Sequence, residues 1–445
     1  MISTEVRTSG FRSPSSNSKV LSDRAKTVMP GGNSRLTVFQ APYPPYAVSG
    51  RGSVLVDAEG EERFDFINNY TSLLHGHTDP DITAAVIDQL QRGTAFALPT
   101  EQEIDLAAII VDRYDAIEQV RFTNSGSEAV MMAIKAARAH TGKPALISFE
   151  GSYHGSYDAA EASLPPHANA LEADPQPFAF SVGTPKGVLE NVIVLPFNDV
   201  EAFEQAVEEN KAILGAVLID PMPLRIGMIP ATEVFFKRIR QITKELGIVL
   251  IVDEVVNLRV AYGGMQSLYG VKADLTTMAK IIGGGFPVGA VGGSVEVMSV
   301  FDPTGKPKAP HGGTFNANPI SMVAGAAAMS KFTEATLDRI NGLGESLRVG
   351  LRKVFADAQV PAQITGMGSL FTILFHDREL SNYRSGMHSR TEQAMATAFY
   401  GEMLNNGIFM SSTLAGCLST PMTQVEIDAF LGAAARSLEV VLDQK

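Results

Sequence analysis

Short runs of aliphatic and β-branched residues alternate with segments of helical period through the middle of the chain. "VRFTN" (120–124) predicts a strand, and the stretch from Ser127 to about His140 predicts a helix. "ALISF" (145–149), "AVLID" (216–220) and "IVLIV" (248–252) are continuous apolar runs of strand length, the pattern of strands covered on both faces. Between the last two, "EVFFKRIRQITKEL" (233–246) repeats its apolar residues at helical spacing and is stopped by Gly247. Strands and helices alternating in this way predict an α/β fold with a mostly parallel central sheet flanked by helices. From about residue 330 the pattern changes to two long helical stretches around "SLFTILF" (369–375), predicting a smaller α+β lobe. The segment 167–187, "HANALEADPQPFAFSVGTPKG", predicts a long mobile loop.

At 445 residues the chain exceeds what one core organises, which fits a large domain with a smaller partner. Lys and Arg total 36 against 48 for Asp and Glu, a net charge of −12. That balance argues against nucleic acid or an anionic membrane surface as partner, because polyanions require a basic surface. The N-terminal stretch is polar and Ser-rich, without the apolar core of a secretion signal, and no later run approaches a membrane span. A cytoplasmic protein is expected. The one cysteine, Cys417, permits no intrachain disulfide and reads as a small buried hydrophobe. The histidines show no HExxH spacing, and His75 and His77 in "HGH" have no nearby carboxylate or third ligand in sequence, so no metal site is expected.

Three features carry candidate chemistry. Ser125-Gly126-Ser127 stands between a predicted strand and helix, where backbone N–H groups and hydroxyls suit a phosphate; the same residues also read as an N-cap, with Glu128 completing a capping box. Asp253-Glu254 ends the strongest buried strand, where open parallel sheets bind ligands. A carboxylate there can keep a pyridine nitrogen protonated, or it can cap the next helix. Lys280 lies among Met278, Ala279, Ile281 and Ile282, ahead of three glycines. Desolvation would make it a nucleophilic amine, and a lysine in the last turn of a helix is the plainer reading.

Taken together, these motifs resemble the class III aminotransferases of the fold-type I pyridoxal-5′-phosphate (PLP) enzymes, in the branch of glutamate semialdehyde aminomutase and the β-amino acid aminotransferases. The resemblance runs from "MPGGNSR" (29–35) to "LSTPMTQVEID" (418–428). "FTNSGSEA", "GSYHG", "VDEV", "LTTMAKIIGGGFPVGA" and "HGGTFNANP" occur in family order, with 27 residues from Asp253 to Lys280. It implies a Schiff-base lysine at Lys280 that also moves the substrate proton, and Asp253 paired with the pyridine nitrogen. Val255 and Tyr153 would cover the two ring faces, with His154 beside the cofactor. Ser125, Gly126 and Ser127 would hold the phosphate, and Thr314 would reach it from a neighbouring subunit, making a homodimer with shared active sites. The implied domains are an N-terminal segment (1–75) joining the small domain, a large PLP-binding domain (76–329) and a C-terminal small domain (330–445).

Some positions depart from the family. Relatives end the strand matching "AVLID" with Glu-Pro and follow it with a Gln or Asn toward the cofactor phenolate. Here Asp220-Pro221-Met222-Pro223-Leu224-Arg225 stands, Pro223 cannot donate, and Arg225 is expected to replace that bond or to bind a substrate anion. Asn257-Leu258-Arg259 replaces a Thr-Gly-Phe-Arg-like run and is expected to reshape the pocket wall. Arg35 stands where relatives bind a carboxylate, and Tyr70 where they line the substrate pocket. A late arginine of some β-amino acid aminotransferases is missing from "MSSTLAGCLST" (410–420), while the 167–187 loop is closer to the aminomutase. The expected activity is transfer of an amino group from an amine or β-amino acid donor to a keto acid or aldehyde acceptor. The alternatives are an intramolecular aminomutase, a decarboxylase of the same fold, or a cofactor-binding module without turnover.

Overall fold

Seven strands form the central sheet of the computed structural model, which describes residues 10–165 and 174–443. Their spatial order is Gln119–Thr123, Gly289–Gly293, Leu275–Ala279, Val249–Asp253, Leu214–Ile219, Ala145–Phe149, Val192–Leu195. The last five pair in parallel, whereas Gly289–Gly293 runs antiparallel to both of its neighbours. Every residue of Leu214–Ile219, Val249–Asp253 and Leu275–Ala279 is buried, which is why these runs read as continuous rather than alternating.

The helices follow their sequence signals closely. Gly126–Thr141 buries Val130, Ala133 and Ala137 against the sheet, and its small alanines let it lie close. Glu233–Leu246 starts at Thr232, whose hydroxyl accepts from the Phe235 N–H, and stops at left-handed Gly247. Its Phe235 meets Phe149 and Phe197 edge-on, with centroids 5.4 and 5.7 Å apart.

Beyond residue 330 the described residues form three long helices where the pattern suggested two: Glu334–Asp357, Arg390–Asn405 and Gln424–Asp443. They pack with a three-stranded antiparallel sheet, Gln363–Thr365, Leu370–Leu374 and Ala415–Cys417. A second small sheet joins Ala47–Arg51, Val54–Asp57 and Glu62–Asp65 to Ile408–Phe409, so early and late segments share one layer. Phe66 sits in the core of the late helices, its ring centroid 4.7 Å from that of Phe430. The expected loop at 167–187 lies outside the described residues up to 173; from 174 to 185 it is irregular, and a short helix, Lys186–Leu189, ends it. No helix among the described residues is long and apolar enough to cross a membrane.

Candidate active site

The carboxyl edge of the parallel strands opens onto a cavity of about 410 Å³. Asp253, the last residue of its strand, turns into it. One carboxylate oxygen meets His154 Nδ1 at 2.7 Å. The other accepts the Thr277 hydroxyl and the Val255 N–H, both at 3.0 Å. Burial works to raise its pKa, but the His154 hydrogen bond, the Val255 N–H and the nearby Lys280 together hold it below the usual carboxylate range. Glu254 faces the other way, as strand alternation requires, and accepts the Met265 and Gln266 N–H groups at 2.8 and 2.9 Å. Burial pushes its pKa up to about 7, and its role is to hold the turn Met265–Tyr269.

Lys280 follows the strand Leu275–Ala279 directly and opens a single 3₁₀ turn, Lys280–Gly283, so it does not end a helix. Its φ of 52° is left-handed, an uncommon state for a residue with a side chain, and it aims the amine into the cavity. Burial lowers its pKa, partly offset by Asp253 and Asp220. Its ammonium has no hydrogen-bond partner among the described residues. Such an amine is chemically available.

Ser125 caps the 16-residue helix Gly126–Thr141, its hydroxyl accepting the Glu128 N–H at 3.2 Å. The Glu128 carboxylate takes the Asn124 N–H at 2.7 Å instead of reaching back to the Ser125 N–H, so the capping box is only half formed. Ser125, Gly126 and Ser127 line the cavity, with the helix N-terminus behind them. The cradle is tight: a Cβ on Gly155 would stand 2.4 Å from Ser127 Oγ, and one on Gly289 would stand 2.1 Å from the Ser125 carbonyl oxygen.

The cavity also brings together Tyr153, His154, Val255 and Arg35. Tyr153 remains 47% exposed, with the Arg225 guanidinium 5.4 Å from its ring centroid and 6.0 Å from that of Phe180. Arg225 is thus held by aromatic faces at the rim and does not line the cavity. Tyr70 also stays out of the lining; its hydroxyl donates to the Thr37 carbonyl. Thr314 is exposed and sits in a separate small hollow with Phe96, Leu98 and Glu103. His75 and His77 diverge: His75 bonds Thr420 and the Ala328 carbonyl, while His77 bonds Asp65.

Several cavity residues carried no sequence assignment. Asp220 directly follows the strand Leu214–Ile219, the neighbour of the strand that ends in Asp253, and could have been found by the same strand-end rule. Its burial and the neighbouring Asp253 push its pKa up to about 7. Asn69 belongs to a turn, Asn68–Thr71, in which four successive residues have positive φ values of 46°, 48°, 55° and 73°, and Ser72 directly follows it. Each left-handed residue costs about 1–2 kcal/mol, and nothing in the local sequence announces such a turn.

The family model for Aminotransferase class-III matches residues 40–422. An omega-transaminase from Sphaerobacter thermophilus is 55% identical, covering 97% of this chain and 99% of that one, with a TM-score of 0.95. A transaminase solved with PLP bound is 40% identical over 96% of this chain and 98% of its own, with a TM-score of 0.89. A glutamate-1-semialdehyde 2,1-aminomutase from Methanothermobacter thermautotrophicus is 36% identical over 424 residues, 95% of this chain and 98% of that protein.

Proposed function

The chain belongs to the class-III aminotransferases and is a PLP-dependent transaminase, and we propose that it works as a cytoplasmic homodimer, moving an amino group from an amine or β-amino acid donor to a separate keto acid or aldehyde. The cavity fits PLP. Among the described residues His154 Nε2 is buried without a partner and Lys280 offers an unbonded amine, and the Gly155–Ser127 contact leaves the helix N-terminus open to a phosphate. In this reading Lys280 would hold the cofactor covalently and Asp253 would pair with its ring nitrogen. Tyr153 and Val255 would pack on the ring, and Ser125–Ser127 would take the phosphate. When bound, the cofactor supplies an electron-withdrawing ring that stabilises charge at the substrate carbon.

The protein's own share follows from its residues. Three hydrogen bonds keep the Asp253 carboxylate ionised and fixed in direction. Desolvation lowers the Lys280 pKa, which favours the free amine at Nζ, the atom positioned to accept a proton from the substrate carbon and return it. Arg35, on the cavity wall, binds the substrate carboxylate bidentately, its Nη1 already anchored on Asn69 Oδ1 at 2.9 Å. Thr314, excluded from its own cavity and beside exposed Phe315 and Leu98, completes the phosphate site of a second copy. Sedimentation as a monomer would rule that pairing out.

The observation that carries the intermolecular reading is the 55% identity to an omega-transaminase across the whole fold, against 36% to the aminomutase. The aminomutase remains the second reading because that relative also spans almost the full chain. Donor added to PLP-loaded enzyme without acceptor should be consumed to about one equivalent per site and stop, resuming when a keto acid is added. Sustained turnover of glutamate semialdehyde with no acceptor would establish the aminomutase instead.

A further inference from the structure

Among the described residues Arg259 is the largest side chain with no solvent exposure. Burying a guanidinium is costly, and no carboxylate among the described residues pairs with this one. It spends its donors on three separate segments instead. Nε donates to Ser369 Oγ at 3.0 Å, Nη1 to the Thr71 carbonyl at 3.2 Å, and Nη2 to the Leu418 carbonyl. Arg259 itself closes the 3₁₀ turn Asn257–Arg259, just beyond Asp253, and the other end of that turn donates from Asn257 Nδ2 to Asp220. One three-residue turn thus ties the cofactor edge to both the early and the late parts of the chain.

What it ties down is the left-handed turn Asn68–Thr71. That turn needs outside support, and beside the Tyr70 hydroxyl on the Thr37 carbonyl it has three sources. Asp65 Oδ1 accepts the Ile67 and Asn68 N–H groups at 2.9 and 2.8 Å. Asn68 Nδ2 donates to the Cys417 carbonyl at 3.1 Å. Arg259 supplies the third, at the turn's last residue. The turn in turn presents Asn69 to Arg35.

We propose that Arg259 is a positioning residue for substrate recognition: through Thr71 it fixes the left-handed turn, and through Asn69 the turn aims Arg35 at the carboxylate of the donor. The inference rests on the reading of Arg35 as the carboxylate-binding group. It makes Arg259 a specificity determinant that never touches substrate.

The test uses PLP-loaded enzyme, a β-amino acid donor, and the corresponding amine in which methyl replaces the carboxylate. Arg35→Ala, Asn69→Ala and Arg259→Met should each raise KM for the amino acid by about tenfold or more, the loss of one charge-assisted contact, and leave KM for the amine within about twofold. Arg259→Lys should restore part of the loss. Calorimetric titration with an unreactive carboxylate of the same skeleton should follow the same order. If Arg35→Ala and Asn69→Ala discriminate between the donors but Arg259→Met weakens both equally or neither, the positioning role fails and the Arg35 reading stands. If Arg35→Ala does not discriminate, that reading fails and the inference with it. Should Arg259→Met not fold, Arg259→Lys decides: a selective rise in KM for the amino acid supports the role, and a uniform or absent effect overturns it.

Discussion

The edge of the large sheet and the wall built from the chain's two ends solve the same problem, holding side chains still, in different ways. At the edge, Asp253 and Lys280 are fixed by strands that stop beside one another, and the contacts that tune them come from neighbouring strands or the adjoining loop. At the wall, Arg35, Asn69 and Ser72 are fixed by a strained turn whose supports come from Asp65, Cys417 and Arg259, far apart in sequence. The first arrangement follows from regular structure and is inexpensive. The second costs several left-handed residues, at about 1–2 kcal/mol each, and persists because buried hydrogen bonds over-determine it. Chemistry common to a family sits well on the first, and a substrate preference that must change sits well on the second.

The largest expected effect lies at the edge. On the proposed reading Lys280→Ala removes both the covalent anchor and the proton carrier, so turnover should fall by at least about 10⁴-fold, as for the loss of a general acid–base group that also acts as nucleophile. The protein should still bind PLP, because Asp253, Tyr153 and the helix N-terminus remain. Steady-state rates together with a cofactor-binding titration check this, and a variant that kept normal turnover would remove Lys280 from the mechanism.

That contrast also explains what could be read in advance. The parallel sheet was legible because Leu214–Ile219 and Val249–Asp253 are unbroken apolar runs, and a parallel strand covered on both faces has no other pattern. Asp253 and the Ser125–Ser127 cradle could be named because strand ends and helix starts leave local signatures, and Lys280 because it stands in order with them. Lys280 still differed from its plainer reading: the glycines after it suggested a helix stop, whereas they accommodate a strand-to-turn reversal with Lys280 itself left-handed. The wall was only half legible. Arg35 stood out by resemblance, but the conformation of Asn68–Thr71 depends, beyond the local Asp65 contacts, on Cys417 and Arg259, which no local window contains. Arg259 reads only as part of a run that reshapes the pocket wall, because a buried cation satisfied by carbonyls and a hydroxyl has no sequence partner.

A smaller effect separates the cradle from the chemistry beside it. Gly155 has φ +91°, and a Cβ there would lie 2.4 Å from Ser127 Oγ and 2.6 Å from its Cα. Gly155→Ala must therefore displace the N-terminus of the helix Gly126–Thr141. PLP affinity should drop by about 10- to 100-fold, one to two phosphate hydrogen bonds' worth, while KM for the donor at saturating cofactor barely moves. Equal losses in both would mean that the edge and the wall are not independent.

The smallest effect is one of stability, and it asks whether the edge carries a cost of its own. Asp220 and Asp253 share the cavity, and burial with its neighbour's charge pushes Asp220 up to about 7, above the ordinary carboxylate value. The folded protein therefore keeps a proton on Asp220 that the unfolded chain releases near pH 4, and stability falls as pH rises from about 4 to about 7 before levelling off. Asp220→Asn removes that loss while retaining a carbonyl oxygen to accept the Met222 N–H. Its unfolding midpoint, measured against the unaltered protein, should draw ahead across that window and stay ahead by a few degrees above it. Glu254 titrates in the same range but is present in both proteins, so its contribution cancels in the difference. A difference that stayed flat from pH 4 to pH 8 would mean that Asp220 is ionised throughout, and the edge would then carry two adjacent negative charges facing Lys280 in place of one.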